Sequence, residues 1–324
     1  MNKILSIDGG GIKGIFAASF LAEIEEKCNG NVCDYFDLIA GTSTGAIIAA
    51  ALCIGIPAEK IAKLYIENAK NIFPLEKRRF KIFKGKYDSE PLKKVLQDTF
   101  QEKKVKDCKT RLLIPAFNLT TRKVQVFKTP HAEDLKFDKN ELLVDILMAT
   151  TAAPIFFSPY KMSRGVYMDG GVGANNPSML AVIEGLTRCG WNRNEIRMLS
   201  IGGVEEPHPV KGTEKMGLKD ALKIQKSFML AECQYADNSS RLLLGEDNYT
   251  RIKAEILKGQ AGLDKVDMKS LEVLKAQGIN TAQLYVEKIK DNFFNKKRDM
   301  IQFYNVYCRK KINEIPRVKN LIIR

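Results

Sequence analysis

Short, continuous apolar runs alternate with longer stretches of helical periodicity over the first two-thirds of the chain. Lys3 to Ile7 reads as a strand, and Gly9-Gly10-Gly11 separates it from a helix over Gly14 to Lys27. Phe36 to Ala40 is a second strand, followed by a helix over Ala46 to Ile56; Ile61, Leu64 and Tyr65 mark a further amphipathic helix. Arg111 to Phe117, Lys123 to Phe127, Val166 to Met168 and Ile196 to Ile201 read as strands, and Leu142 to Ala149 as a helix. Asn176-Pro177 has the character of a helix start and opens a helix over Ser178 to Thr187. Strands that are apolar along their whole length are covered on both faces, and their alternation with helices implies parallel pairing. The expected fold is a three-layer α/β/α sandwich around a mainly parallel sheet.

Past Gly203 the pattern changes to two or three long helical stretches, at about Leu218 to Leu244, Ser270 to Gly278 and Thr281 to Lys311. With no linker or repeat in sight, the expectation is an α/β core over residues 1–203 and a mainly helical portion over 204–324 packed on it. Leu38 to Ala58 contains no charged residue and is long enough to span a bilayer, but Gly41 to Gly45 break it into a strand and a short helix. A membrane span is therefore rejected, and the N-terminus lacks the apolar run of a signal peptide. Seven scattered cysteines with no C-x-x-C pair signal neither zinc nor a disulfide framework and fit a reducing cytosol.

The 324 residues are 45% apolar and 28% charged, as in a globular protein, with a net charge of +14. Two stretches, Lys60 to Arg111 and Lys288 to Arg324, hold the whole basic excess. Such patches attract anionic surfaces, whether phospholipid headgroups, nucleotides or nucleic acid, although scattered lysines also serve solubility alone. Lys77 to Lys84 interleaves basic and apolar side chains, which suits an interfacial segment or an ordinary amphipathic element equally.

Candidate chemistry sits in three separated segments. Gly41-Thr42-Ser43-Thr44-Gly45 is G-x-S-x-G between a strand and a helix, the setting in which a serine Oγ is thrust out of the sheet edge toward a helix N-terminus. Asp8-Gly9-Gly10-Gly11-Ile12-Lys13-Gly14 follows the first strand, and consecutive glycines let backbone N–H groups face an oxyanion. A phosphate cradle or a plain tight turn are the other readings of that loop, without either standard nucleotide motif to support the first. Met168-Asp169-Gly170-Gly171 places an acid at a strand end, within reach of a serine on a neighbouring strand. His131 and His208 read as exposed loop residues and not bases, although His208 has the late position that a Ser-His-Asp triad requires. The economical reading is a Ser43–Asp169 dyad whose carboxylate needs partial desolvation to act as a base.

These three blocks, together with Ala149-Thr150-Thr151-Ala152-Ala153-Pro154-Ile155-Phe156-Phe157 and Gly173-Ala174-Asn175-Asn176-Pro177, resemble the signature blocks of patatin-like phospholipases, in the family's order over residues 3 to 203. Ala46 and Lys13 depart from the glycine and arginine usual at those places. The resemblance implies calcium-independent hydrolysis of lipid acyl esters by a Ser43–Asp169 dyad, with an oxyanion hole from the backbone of Gly9, Gly10 and Gly11, and no metal or cofactor. The whole chain looks like one bacterial subgroup in which a cyclic dinucleotide, commonly cyclic GMP-AMP (cGAMP), switches on degradation of the cell's own membrane in anti-phage defence. That resemblance implies a cytoplasmic protein acting peripherally at the inner face of the membrane; self-association stays open, and stable nucleic-acid binding is not expected. The other classes in view are an unregulated lipase, a nucleotide- or nucleic-acid-binding protein, for which no recognised module is present, and an inactive scaffold.

Overall fold

The computed structural model describes residues 1–74, 85–205, 221–256 and 262–304. The chain opens with β1 (Asn2–Ile7), α1 (Gly14–Cys28), β2 (Leu38–Gly41), α2 (Thr44–Cys53), α3 (Ala58–Ile72) and α4 (Glu90–Phe100). It continues through β3 (Arg111–Asn118), β4 (Lys123–Lys128), α5 (Leu143–Thr150), β5 (Tyr160–Met162), β6 (Gly165–Met168) and α6 (Ser178–Thr187). β7 (Ile196–Glu205), α7 (Ala221–Leu244), β8 (Tyr249–Glu255) and α8 (Met268–Ile289) complete it.

The sheet runs β5-β6-β3-β2-β1-β7-β8, with β4 also paired to β3. β1, β2, β3, β7 and β8 are parallel, while β4 and β6 run antiparallel to β3. Period-2 alternation divides the strand residues between two cores. Leu5, Ile7, Ile39, Leu112, Ile114, Leu199 and Ile201 face α1, α2, α5 and α8. Ile4, Leu38, Ala40, Leu113 and Met198 face Ala181 and Val182 of α6 and Leu244 of α7. This is the expected three-layer sandwich.

Strand order reverses around β1: the chain steps from β1 to β2 to β3 in one direction and later returns to β7 on the other side. A crevice opens at the carboxyl ends of strands at such a switch point. The loops after β1 and β2 therefore emerge together, and they are the two glycine-rich segments.

The C-terminal third differs from its sequence pattern in two ways. β8 pairs in parallel with β7 as a sheet strand in a stretch where the sequence pattern gave no strand. Its segment, Tyr249-Thr250-Arg251-Ile252-Lys253-Ala254-Glu255, alternates correctly, but Arg251 and Lys253 mask the signal. The two expected helices flanking Gly278 are one helix, which ends at Ile289, passes through a wider turn at Lys290–Phe294 and is not helical from 295 to 304. Gly278 reads as a breaker but is a contact residue: a β-carbon there would lie 2.6 Å from the Phe16 carbonyl oxygen, so its absence lets α8 lie close on α1. No helix among the described residues is long and apolar enough to cross a membrane. Lys77 to Lys84 and His208 lie outside the described residues.

Candidate active site

Ser43 links β2 to α2 with φ 53° and ψ −122°, a strained conformation for a residue bearing a side chain and worth about 1–3 kcal/mol. Both flanking glycines are sterically required: a β-carbon on Gly41 would meet the Gly45 carbonyl oxygen at 2.2 Å, and one on Gly45 would meet that of Ile7 at 2.3 Å. Three bonds fix the elbow. The Ser43 amide donates to Thr150 Oγ1 (3.1 Å), the Thr150 hydroxyl to the Pro115 carbonyl (2.7 Å) and the Thr42 hydroxyl to the Ala174 carbonyl (2.7 Å).

β6 ends opposite Phe117 of β3, which delivers Asp169 to the elbow. The Ser43 hydroxyl donates to Asp169 Oδ2 at 2.6 Å, while Oδ1 accepts from the Gly171 amide at 2.7 Å. Both side chains are buried. Burial pushes the Asp169 carboxyl up to about 6, against the opposing pull of the Ser43 hydroxyl and the Gly171 amide. At neutral pH it is still mostly ionised, yet a far better base than an ordinary aspartate.

The three glycines of the β1 loop have unequal positions. Gly9 donates its amide to the Asn175 carbonyl (3.0 Å), so its N–H is committed and not turned to an oxyanion as the resemblance implied. Its lack of a side chain matters instead, because a β-carbon there would lie 3.3 Å from the Ser43 Cβ and 2.4 Å from Asn175 Oδ1. Gly10 and Gly11 line the cavity in front of Ser43. The Gly10 amide makes a long bond (3.2 Å) to the Thr44 hydroxyl.

Several supports carried no recognisable signal in the sequence. Asp8, buried before the glycines, is clamped by Arg251 of β8, with Nη1 to Oδ1 at 3.0 Å and Nη2 to Oδ2 at 2.5 Å. Burial raises the Asp8 carboxyl and the guanidinium pulls it back down, so the ion pair is what allows a charge there. Arg251 Nη1 also donates to Ser200 Oγ (2.6 Å). The Ile12 amide donates to the Leu263 carbonyl (2.9 Å), which lays the segment after β8 across the glycine loop. Asp264 in that segment accepts from Lys86 (2.5 Å) and Tyr87 (2.7 Å).

His131 is not an exposed loop residue as the sequence suggested. It is buried, with Nδ1 at 2.9 Å from Thr129 Oγ1 and Nε2 at 3.0 Å from Glu184 Oε1. Glu184 also takes Lys128 Nζ at 2.5 Å. Both ring nitrogens are thereby used, and Nε2 ties the segment after β4 to α6.

The dyad opens on an apolar cavity. Ile47, Tyr65 and Phe73 form one wall, and Leu92, Val95 and Leu96 of α4 another. The block 149–157 supplies Phe156 and Phe157, shaped by Ile155 at φ 73°, an outlier for a β-branched residue. Such a cavity beside a buried serine–carboxylate pair suits an ester with a long apolar acyl chain.

A family model described as patatin-like phospholipase matches residues 5–182. The chain belongs to the patatin-like phospholipase family. With the family comes its class of chemistry, that of a serine-type lipid acyl hydrolase. A cGAMP-activated phospholipase of Pseudomonas aeruginosa is 33% identical, over 86% of this chain and 87% of its own. That of Vibrio cholerae is 33% identical over 95% and 96%, and that of Escherichia coli 36% identical over 90% and 92%.

Proposed function

We propose that this protein hydrolyses acyl esters of membrane phospholipids with Ser43 as nucleophile and Asp169 as its direct general base, and that a cyclic dinucleotide such as cGAMP switches the activity on. The observation that carries the chemistry is the 2.6 Å bond from Ser43 Oγ to a buried carboxylate at the head of the apolar cavity. Asp169 takes the Ser43 proton as Oγ attacks the ester carbonyl. The oxyanion accepts from the backbone N–H groups of Gly10 and Gly11, each worth about 3–4 kcal/mol in comparable sites, and the α2 N-terminus favours the same charge. The lysophospholipid alcohol leaves with the proton from Asp169, and the acyl group remains on Ser43. Water, deprotonated by Asp169, attacks the acyl carbon; the C–Oγ bond breaks and the proton returns to Ser43 as the fatty acid departs.

Regulation is supported by the three relatives named for their activation by cGAMP, each matching more than four-fifths of both chains. The basic character of the chain suits both an anionic activator and the anionic inner face of a membrane, where a cytoplasmic enzyme of this kind would work. The test is fatty-acid release from mixed phospholipid vesicles, with and without cGAMP, by the wild type and Ser43→Ala. Release that needs the nucleotide and disappears in the variant is expected. Equal release without nucleotide would remove the regulatory claim, and release by Ser43→Ala would remove the nucleophile.

A further inference from the structure

On the side of the dyad acid, the acyl cavity has an apolar rim that stands in water. Val172, in the turn Gly170–Val172 just after Asp169, lines the cavity and is 40% exposed, which places it where the cavity meets solvent. The apolar surface continues from it in two directions. A β-carbon on Gly173 would lie 2.5 Å from Val124 Cγ2 of β4, and Val124 is itself exposed. A β-carbon on Gly171 would lie 3.1 Å from Met229 Cε of α7, and Met229 also lines the cavity. The residues on either side of Met229 are Phe228, 71% exposed, and Leu230, 49% exposed.

The periodicity of α7 accounts for that exposure. Met229, Cys233, Ala236 and Ser240 recur at three- and four-residue spacing and form its inward face. Cys233 Sγ lies 3.1 Å from Asn175 Nδ2, and Ser240 donates to Ser178 of α6 at 3.0 Å. Phe228 and Leu230 stand about 100° to either side of Met229, so the helix gives them no core to enter. Single exposed apolar residues are ordinary, whereas a contiguous patch at the mouth of a site marks an interaction surface. The turn into β4 adds charge, with Arg122 and Lys123 exposed directly before Val124.

We propose that this rim, formed by Val124, Val172, Phe228 and Leu230 and flanked by Arg122 and Lys123, docks the enzyme on the anionic face of a phospholipid bilayer. The inference deepens the phospholipase reading and rests on it. A long-chain phospholipid resides in the bilayer, and a mouth pressed onto the bilayer lets its acyl chain pass from one apolar phase to another without crossing water. The apolar side chains reach the boundary between headgroups and acyl chains, while the two cations beside Val124 meet headgroup phosphates. The patch is continuous with the cavity wall, which favours the bilayer over a second protein chain: a chain seated there would close the mouth through which the ester must enter.

The test is sedimentation of the full chain with sucrose-loaded vesicles, cGAMP being present throughout. One set of vesicles is phosphatidylethanolamine with phosphatidylglycerol, and the other is phosphatidylcholine alone. All proteins carry Ser43→Ala, so that the lipid is not consumed. Adding Phe228→Gln/Leu230→Gln, which keeps good helix formers, is expected to weaken binding to both sets about tenfold or more. Adding Arg122→Asn/Lys123→Gln, with Asn suited to the positive φ of 57° at 122, should weaken binding about tenfold to the anionic vesicles alone, an effect that salt removes. With Ser43 restored, both double variants should lose far more fatty-acid release from vesicles than hydrolysis of soluble p-nitrophenyl butyrate. Vesicle binding unchanged in both variants would overturn the proposal, as would equal loss on vesicles and on the soluble ester. A dimeric protein made monomeric by Phe228→Gln/Leu230→Gln, with vesicle binding intact, would overturn it in favour of a second copy. Vesicle binding by a protein with Ser43 intact that releases no fatty acid would instead fail the hydrolase reading and leave the docking surface standing.

Discussion

Replacing Asp169 by Asn is expected to abolish hydrolysis and at the same time to stabilise the fold, increasingly so as pH rises. The folded carboxyl titrates near 6 against an ordinary 3.8, chiefly because it is buried. A raised carboxyl favours the folded state when protonated, so its contribution is full below pH 3.8 and is lost as pH climbs through 6. Above pH 7 the ionised group costs the fold about 3 kcal/mol relative to its unfolded state, at about 1.4 kcal/mol for each tenfold in the proton equilibrium. Asn escapes that cost and preserves the local bonding: its Oδ1 accepts from the Gly171 amide, and its Nδ2 donates to a rotated Ser43 hydroxyl. Thermal unfolding of both proteins between pH 4.5 and 8 measures the effect. The advantage of Asp169→Asn should grow from about 1 kcal/mol at pH 4.5 to about 3 at pH 8, a rise in Tm of roughly 4 °C at the upper end. A difference that does not change with pH, or a variant less stable at pH 8, would refute the argument that Asp169 is held as a desolvated base.

The same titration should appear in the kinetics: kcat/KM for a soluble ester falls about tenfold per pH unit below pH 6 and is flat above 7, because Asp169 must be ionised to accept the Ser43 proton. Arg251→Met strands the buried Asp8 carboxylate and should cost about 3–5 kcal/mol in urea unfolding, with most of the loss recovered in the Asp8→Asn/Arg251→Met double variant. Gly278→Ala forces α8 off α1 and should destabilise by about 1–3 kcal/mol, read from the denaturation midpoint. Leu96→Trp fills the cavity from α4 and should lower kcat/KM for decanoyl esters far more than for acetyl esters; an equal loss on both would remove the cavity as the acyl site.

Local sequence was enough to specify most strands of the parallel sheet, because strands buried on both faces leave apolar runs such as Leu38 to Ala40 and Leu112 to Ile114. It also marked the elbow, since no residue but glycine fits at 41 and 45, and it marked Asp169 through the glycines that follow. Gly9 was legible as necessary, but its amide belongs to Asn175, a pairing between residues far apart in the chain that no local pattern encodes. β8 escaped notice because Arg251 reads as polar until Asp8 is placed against it. Gly278 looked like a break until α1 was laid on it, and His131 looked exposed until Thr129 and Glu184 closed on its ring. The sequence by itself determined which residues could do chemistry and where the chain must turn, since propensity, burial and steric exclusion act over a few neighbouring positions. Only the tertiary structure decided their distances and the raised carboxyl of Asp169. Those depend on which distant segments remove water from a group and which supply a hydrogen bond in its place.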